Sequence, residues 1–324
     1  MYRHRLCSNS NNVNSTLIGP VAVAAPDTRT APRLTLRRQE ALLSLVFIAP
    51  QMIGFAILVA GPVLAILYFS FFKWNIIQGT LAFIGGANYA RLLSSAEVGD
   101  IARTTVLFGL GFVPATVFGG LAVATAVNSR SRWCVGLRAA YFLPVVVSLA
   151  AWTVVWRLLL APDGPVNGLL QFLNLAPVAW LRDSNLALAA LVTVQFLKSL
   201  GYSMVLFLAA LQTVPPDLLE AVRMDGANRW QSFRSITLPL IAPFTLMVTI
   251  LLTIASFKTF ALIQLMTRGG PGHATTVLSY YIYQQGLQLF DMGYASAVAV
   301  VLFVAVLTLT VLQLVLRRWW VFEG

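Results

Sequence analysis

Six stretches of this sequence are apolar over a length that carries an α-helix through the hydrocarbon core of a membrane, which takes about 20 residues. None of them alternates apolar and polar residues as a strand would. Hydrophobic residues make up 58% of the 324 positions and charged residues 10%, which is too little polar surface for a soluble protein. We therefore predict an all-α integral membrane protein with six transmembrane helices. The predicted spans are Ala41 to Phe72, Thr104 to Val127, Ala139 to Leu160, Leu186 to Gln212, Leu238 to Leu262, and Tyr294 to Leu316.

The basic residues predict how these spans are oriented. Arg33, Arg37 and Arg38 precede the first span, and an excess of Lys and Arg marks the cytoplasmic side. Alternation of the spans then places four segments on that side, all of them basic: residues 1–39, 128–138, 213–237 and the C-terminus. Both termini are therefore predicted to be cytoplasmic. Residues 1–39 lack the apolar core of a signal peptide, so we predict a disordered tail there and a transmembrane domain over 40–324.

Several functional classes lack their sequence signature. The net charge of +11 is distributed over the short segments between apolar runs, which is typical of membrane topology and not of a nucleic-acid interface. Cys7 and Cys134 lie on the predicted cytoplasmic side, where thiols stay reduced. The sequence contains no Gly-x-x-x-x-Gly-Lys-Ser/Thr loop, and neither His4 nor His273 belongs to a metal-binding pattern. We expect no enzyme site, metal site or cofactor in this chain.

The long segment 213–237 has the features of two short helices. Pro215 and Pro216 suit the first turn of a helix, and Gly226 suits its end because glycine adopts the left-handed conformation easily. Asn228 is suited to cap the next helix. Apolar and charged side chains are mixed here, as in a surface that fits into a groove of another protein. A solvated loop along the lipid headgroups is the alternative interpretation.

This segment resembles the EAA loop of ABC importer permeases. The matching residues are Glu220-Ala221, Gly226 and Ile236-Thr237-Leu238-Pro239, whereas Val222 departs from the second alanine of the pattern. The chain also resembles the carbohydrate-uptake members of that family at Ser70 to Trp74, Phe142 to Pro144, Ala210 to Pro215, Gly269 to Gly272, and Gly293 to Ala295. The resemblance implies the six-helix architecture of a type I ABC importer permease and the import of a sugar or sugar-like solute. It also implies a coupling loop that inserts into an ATPase subunit, formed by Glu220, Ala221, Arg223, Asp225, Gly226 and Ala227.

The same resemblance implies several partners. They are a second permease subunit that is a different chain, two cytoplasmic ATPase subunits that bind ATP and Mg, and an extracytoplasmic solute-binding protein. The location implied is the bacterial cytoplasmic (inner) membrane.

Polar residues inside the spans are candidates for the solute pathway. Gln195, Ser199 and Tyr202 follow i, i+4, i+7 spacing and so share one face of the fourth span. Thr249, Thr253 and Ser256 repeat this spacing in the fifth span, where small hydroxyl residues equally suit close helix packing. The resemblance implies that both stripes reach the solute.

Lys198 lies near the centre of the fourth span, where a charged side chain costs roughly 3 kcal/mol or more. The predicted spans contain no Asp or Glu to pair with it. Its partner is therefore a carbonyl group, water, another subunit or the solute, and an anionic solute such as a sugar phosphate fits the last case. Lys258 is nearer the outer interface and is predicted to extend toward it.

Three other functions fit this sequence less well. A secondary transporter driven by an ion gradient is the main alternative, but it favours a membrane carboxylate, which the spans lack. A channel needs a selectivity signature, and a membrane scaffold does not by itself predict the two-helix loop. The identity of the solute stays open between mono-, di- and oligosaccharides and a glycerol phosphate.

Overall fold

The computed structural model of the chain describes residues 33–129 and 131–320. These residues form fifteen α-helices, three π-helical segments and two short strands. The helices are α1 (Arg33–Phe55), α2 (Gly61–Phe69), α3 (Ala87–Ser94), α4 (Ala96–Ala126), α5 (Arg132–Val146), α6 (Leu149–Leu159), α7 (Pro165–Phe172), α8 (Ser184–Gln212), α9 (Pro216–Met224), α10 (Arg229–Ser232), α11 (Leu238–Leu240), α12 (Ala242–Phe257), α13 (Ala261–Met266), α14 (Leu278–Tyr283) and α15 (Met292–Trp320). The π-helical segments are Ala56–Ala60, Phe233–Thr237 and Gln284–Gln288, and the strands are β1 (Phe72–Asn75) and β2 (Thr80–Phe83).

The beginning of the chain differs from the predicted tail over 1–39. Residues 1–32 lie outside the described residues, whereas α1 begins at Arg33, so residues 33–39 are helical. The chain divides into two units between Val59 and Ala60. The first contains α1, and all packing discussed below belongs to the second.

The helices account for the six predicted spans in two ways. Four helical stretches are long and apolar enough to cross a membrane without a sharp bend: Leu43–Phe69, Ala96–Ala126, Ser184–Gln212 and Met292–Leu316. Two further spans are bent pairs, Arg132–Val146 with Leu149–Leu159 and Arg229–Leu240 with Ala242–Phe257. Counting each pair as one span gives six, so the all-helical membrane fold is confirmed.

The third span is broken, although the sequence was interpreted as one continuous helix from Ala139 to Leu160. Its two halves, α5 and α6, meet at 101°. Pro144 removes one backbone donor near the end of α5, Val147 is extended, and the Ser148 hydroxyl accepts a hydrogen bond from the Ala151 N–H to begin α6. A proline followed four residues later by a helix-capping serine is the sequence signal for this break.

The fifth span is also bent, and it ends earlier than predicted. A 67° bend separates α11 from α12 at Ile241, and the helix ends at Phe257. Residues 261 and 262, which the sequence placed at the end of this span, belong to the separate helix α13.

The loop that follows the first span contains a β-hairpin, which the sequence did not predict. The helix of the first span ends at Phe69 and not at Phe72, because β1 pairs antiparallel with β2 from Phe72–Phe83 to Asn75–Thr80. The Asn88 amide donates hydrogen bonds to the carbonyls of Ser70 and Phe72, at 2.8 and 2.9 Å. The second span begins at Ala96, well before the predicted Thr104, and the Ser95 side chain caps it by accepting a hydrogen bond from the Val98 N–H.

The core forms where α4 and α8 pack against each other. Phe108 and Phe112 of α4 and Met204 and Phe207 of α8 are fully buried there. The helices approach each other closely at Gly120, where a Cβ atom would lie 2.2 Å from the Ser203 hydroxyl. Small residues allow such an approach between membrane helices, and this packing fixes the position of α8.

Candidate functional site

The predicted coupling loop is a helix followed by a tight turn. Pro215 occupies the N-cap position before α9 without a side-chain hydrogen bond, and Asp217 lies in the first turn near the positive end of the helix dipole. Gly226 ends the helix with φ +85°. The N–H groups of Gly226 and Ala227 donate to the carbonyls of Arg223 and Val222, which satisfies the last turn of the helix. The predicted role of Gly226 in local structure is confirmed.

The second half of the loop is held by the predicted asparagine cap. Asn228 and Gln231 exchange side-chain and backbone hydrogen bonds, with donor–acceptor distances of 2.9 and 2.8 Å, in a reciprocal capping box. Trp230 stacks on Phe233 at 5.8 Å between ring centroids.

The loop has an anchored side and an exposed side. Leu219 and Phe233 pack against the hydrophobic core, and Val214 belongs to it. Met224 is 88% exposed and Trp230 is 66% exposed. Of the six residues predicted to face an ATPase, five are exposed and Ala227 is half-buried: Glu220, Ala221, Arg223, Asp225, Gly226 and Ala227. Exposed apolar side chains surrounded by charged ones are typical of a protein-binding surface.

The polar stripe of the fourth span is present on α8. The Gln195 side-chain amide lies 3.5 Å from the Ser199 hydroxyl, and both residues are half-buried. Tyr202 follows on the same face and is 43% exposed. An amide, a hydroxyl and an aromatic ring are therefore available together for a polar solute.

The hydroxyl stripe of the fifth span divides into two parts. Thr249 is half-buried, whereas Thr253 and Ser256 are buried. Ser256 lies against Gly109 of α4, where a Cβ atom would be 3.4 Å from its hydroxyl oxygen. Thr253 accepts a hydrogen bond of 3.0 Å from the Gln313 amide. The geometry of Thr253 and Ser256 favours the helix-packing interpretation over contact with the solute.

Lys198 forms hydrogen bonds with backbone carbonyls that are more than 50 residues away in the sequence. Its ammonium donates to the carbonyls of Pro144 and Val147, at 2.9 and 2.8 Å. Trp152, whose ring centroid lies 5.9 Å from the same nitrogen, donates from its indole N–H to the carbonyl of Val194. Of the alternatives left open for Lys198, the structure therefore supplies a carbonyl partner.

The family of the chain follows from comparison with known proteins. Residues 116–321 match the protein family described as the binding-protein-dependent transport system inner membrane component. This chain belongs to that family. The matched region starts within α4 and contains the coupling loop together with the polar residues of the fourth and fifth spans, so the chain is a membrane-spanning ABC importer permease, as its resemblance implied.

Two named relatives are similar over nearly their whole length. The trehalose/maltose transport system permease protein MalF of Thermococcus litoralis is 33% identical over 284 residues, which cover 87% of this permease and 96% of the relative. The sulfoquinovosyl glycerol transport system permease protein SmoG of Agrobacterium fabrum is 32% identical over 296 residues, which cover 90% of this permease and 96% of the relative.

A solved structure shares the fold of the permease. A chain from the crystal structure of a bacterial alginate ABC transporter, in complex with an alginate pentasaccharide-bound periplasmic protein, superposes with a TM-score of 0.78. The superposition covers 90% of the permease and 99% of that chain, at 22% sequence identity. The permease therefore shares its overall fold with a chain of an ABC transporter.

Proposed function

We propose that this permease forms half of the pathway for a sugar or sugar-like solute in a bacterial inner membrane, with both termini in the cytoplasm. The observation that carries this proposal is the pair of relatives at 32% and 33% identity, whose names refer to glycosidic solutes. The half-buried Gln195 and Ser199 and the exposed ring of Tyr202 support it, since sugars are recognised by hydrogen bonds and by contact with aromatic rings. Thr249 of the fifth span, which is half-buried, is a further candidate in this proposal.

The coupling loop 213–237 connects transport to ATP hydrolysis in this proposal. The exposed face of α9 and the turn at Gly226 both dock on a cytoplasmic ATPase subunit that binds ATP and Mg. Glu220 and Arg223 supply charged contacts, and Met224 supplies an apolar contact that loses its exposure on docking. A second permease subunit, a second ATPase subunit and an extracytoplasmic solute-binding protein complete the assembly.

Site-directed cross-linking tests the docking of the loop. Cys7 and Cys134 are replaced by serine, Met224→Cys is introduced, and the permease is assembled with its partner subunits and treated with a short cysteine-to-amine cross-linker. We expect a covalent product with the ATPase subunit, because Met224 protrudes from the end of α9. Trp133→Cys is the matched control, since Trp133 is 84% exposed but lies outside the loop. A product only at position 133, or at neither position, would count against docking of the loop.

A further inference from the structure

The break in the third span leaves polar backbone inside the membrane. The last carbonyl groups of an α-helix have no partners within the helix, and α5 ends at Val146 in the middle of an apolar span. A lipid environment offers no water to bind such carbonyls, so they need partners within the protein. The geometry of this break therefore depends on what binds the end of α5.

The end of α5 is bound by the fourth span. The two hydrogen bonds from Lys198 to the carbonyls of Pro144 and Val147 form what we term the Lys198 cap. A cation at the carboxyl end of a helix is stabilised by the helix dipole, and hydrogen bonds from a charged donor are stronger than neutral ones. Neither of the two ion pairs among the described residues involves Lys198. Backbone carbonyls thus compensate its charge.

Both halves of the broken span dock on the same face of α8. Val194, Lys198 and Gly201 follow i, i+4, i+7 spacing and share this face. Val194 accepts the Trp152 indole hydrogen bond from α6, at 3.1 Å. Gly201 lies so close to α5 that a Cβ atom there would be 2.1 Å from the Tyr141 carbonyl oxygen. These contacts join α5 and α6 to α8 on both sides of the break.

The same helix leads directly into the coupling loop. Only residues 213–215 separate the end of α8 from the beginning of α9, so a displacement of α9 by an ATPase subunit acts first on α8. The polar stripe of Gln195, Ser199 and Tyr202 is shifted by one residue from the face of α8 that contacts α5 and α6. It therefore lies on the adjacent surface of the helix. The third span and the candidate solute surface are therefore attached to the same rigid element.

The geometry points to Lys198 as a positioning residue that transmits movement of the coupling loop to the broken third span, so that α5, α6 and α8 move as one unit during transport. This inference rests on the proposed function of the loop. It replaces direct contact with an anionic solute as the role of Lys198. Lys198 binds the end of α5, and the solute surface is formed by its neighbours.

Spin-label distance measurements test this unit. Labels at Trp133→Cys in α5 and Asn185→Cys at the beginning of α8 are placed in a background with serine at 7 and 134, in the assembled transporter. We expect one narrow distance distribution, unchanged between the nucleotide-free state and the state trapped with ATP and vanadate. Lys198→Met is expected to broaden it, and Lys198→Arg, which keeps charged donors, is expected to restore it.

Uptake and ATP hydrolysis are measured on the same proteins. We expect Lys198→Met to lower solute uptake about tenfold or more, the factor that corresponds to losing a charge-assisted hydrogen bond, while ATP hydrolysis continues. Lys198→Arg is expected to recover most of the uptake. Lys73→Met, an exposed lysine in the hairpin, is the matched control and is expected to transport normally.

Three outcomes would overturn the inference. Lys198→Met with a narrow distance distribution and only a raised half-saturation concentration for the solute would identify Lys198 as a solute contact. A distance that changes with nucleotide in the unmodified permease would show that the two spans move separately. If Lys198→Met does not assemble, Lys198→Gln, whose neutral amide cannot supply charge-assisted hydrogen bonds to the carbonyls of Pro144 and Val147, is measured instead, and an unchanged distribution there would contradict the unit. Absence of ATP-driven uptake in the wild type would refute the proposed function but would leave the distance test valid.

Discussion

Single glycine residues set the distance between the membrane helices of this permease. Gly120 allows α4 to approach the Ser203 side chain of α8, whose hydroxyl donates a 3.1 Å hydrogen bond to the Thr116 carbonyl. Gly136 of α5, by contrast, has open space where a Cβ would lie. Two glycines in apolar helices thus have different structural roles, which the sequence around them does not distinguish.

Gly120→Ala is predicted to destabilise the permease, because its methyl group would overlap Ser203 and force α4 and α8 apart. Overpacking of this kind costs about 1–3 kcal/mol. Gly136→Ala, the matched control, is expected to be neutral or slightly stabilising. Thermal unfolding in detergent, followed by size-exclusion chromatography, measures both. Equal unfolding temperatures for the two variants would contradict the close approach.

Local residue roles were predictable from the sequence, and distant contacts were not. Gly226 and Asn228 act on backbone within a few residues, so turn and capping preferences sufficed to predict them. Lys198 binds carbonyls 51 and 54 residues away. The Gln313 partner of Thr253 is 60 residues away. Such pairs depend on helix packing, which the spacing of residues in one helix does not specify.

The length of the apolar stretches predicts the long helices of the permease well, but it does not predict where the backbone breaks. Ser184–Gln212 and Met292–Leu316 agree with the predicted fourth and sixth spans to within two residues. The third span was predicted as continuous because Ser148 is a single polar residue between apolar stretches. The hairpin Phe72–Phe83 was missed because aromatic residues continue the apolar run of the first span. Apolar composition indicates that a segment lies in lipid, whereas a break in its helix depends on proline, capping residues and tertiary partners.

The turn after α9 depends on the left-handed conformation of Gly226. Gly226→Val is expected to strain the turn after α9, since a left-handed conformation costs a non-glycine residue about 1–2 kcal/mol. The helix end should then fray and uptake should fall severalfold while assembly is retained. Gly226→Asn is the control, because asparagine tolerates this conformation. Uptake per ATP hydrolysed in proteoliposomes distinguishes them, and equal values for both variants would show that the turn conformation is unimportant.

At the scale of the whole molecule, the permease brings the proposed solute surface and the proposed coupling loop onto one helix. α8 carries Gln195, Ser199 and Tyr202 and continues into the loop after Gln212. Its position is fixed by α4 on one side and by the broken third span on another. If the proposed coupling holds, a movement of the loop therefore reaches the proposed solute surface through one helix.

The most direct test of this account is solute uptake into proteoliposomes containing the permease, its partner permease, the ATPase subunits and the solute-binding protein. The sugars of the two named relatives are the first solutes to label. We predict uptake that requires ATP on the loop side and the binding protein on the other side, and that falls sharply in Glu220→Ala but not in Lys73→Met. Uptake by the permease alone, driven by an ion gradient and unaffected by Glu220→Ala, would contradict the account and identify a secondary transporter.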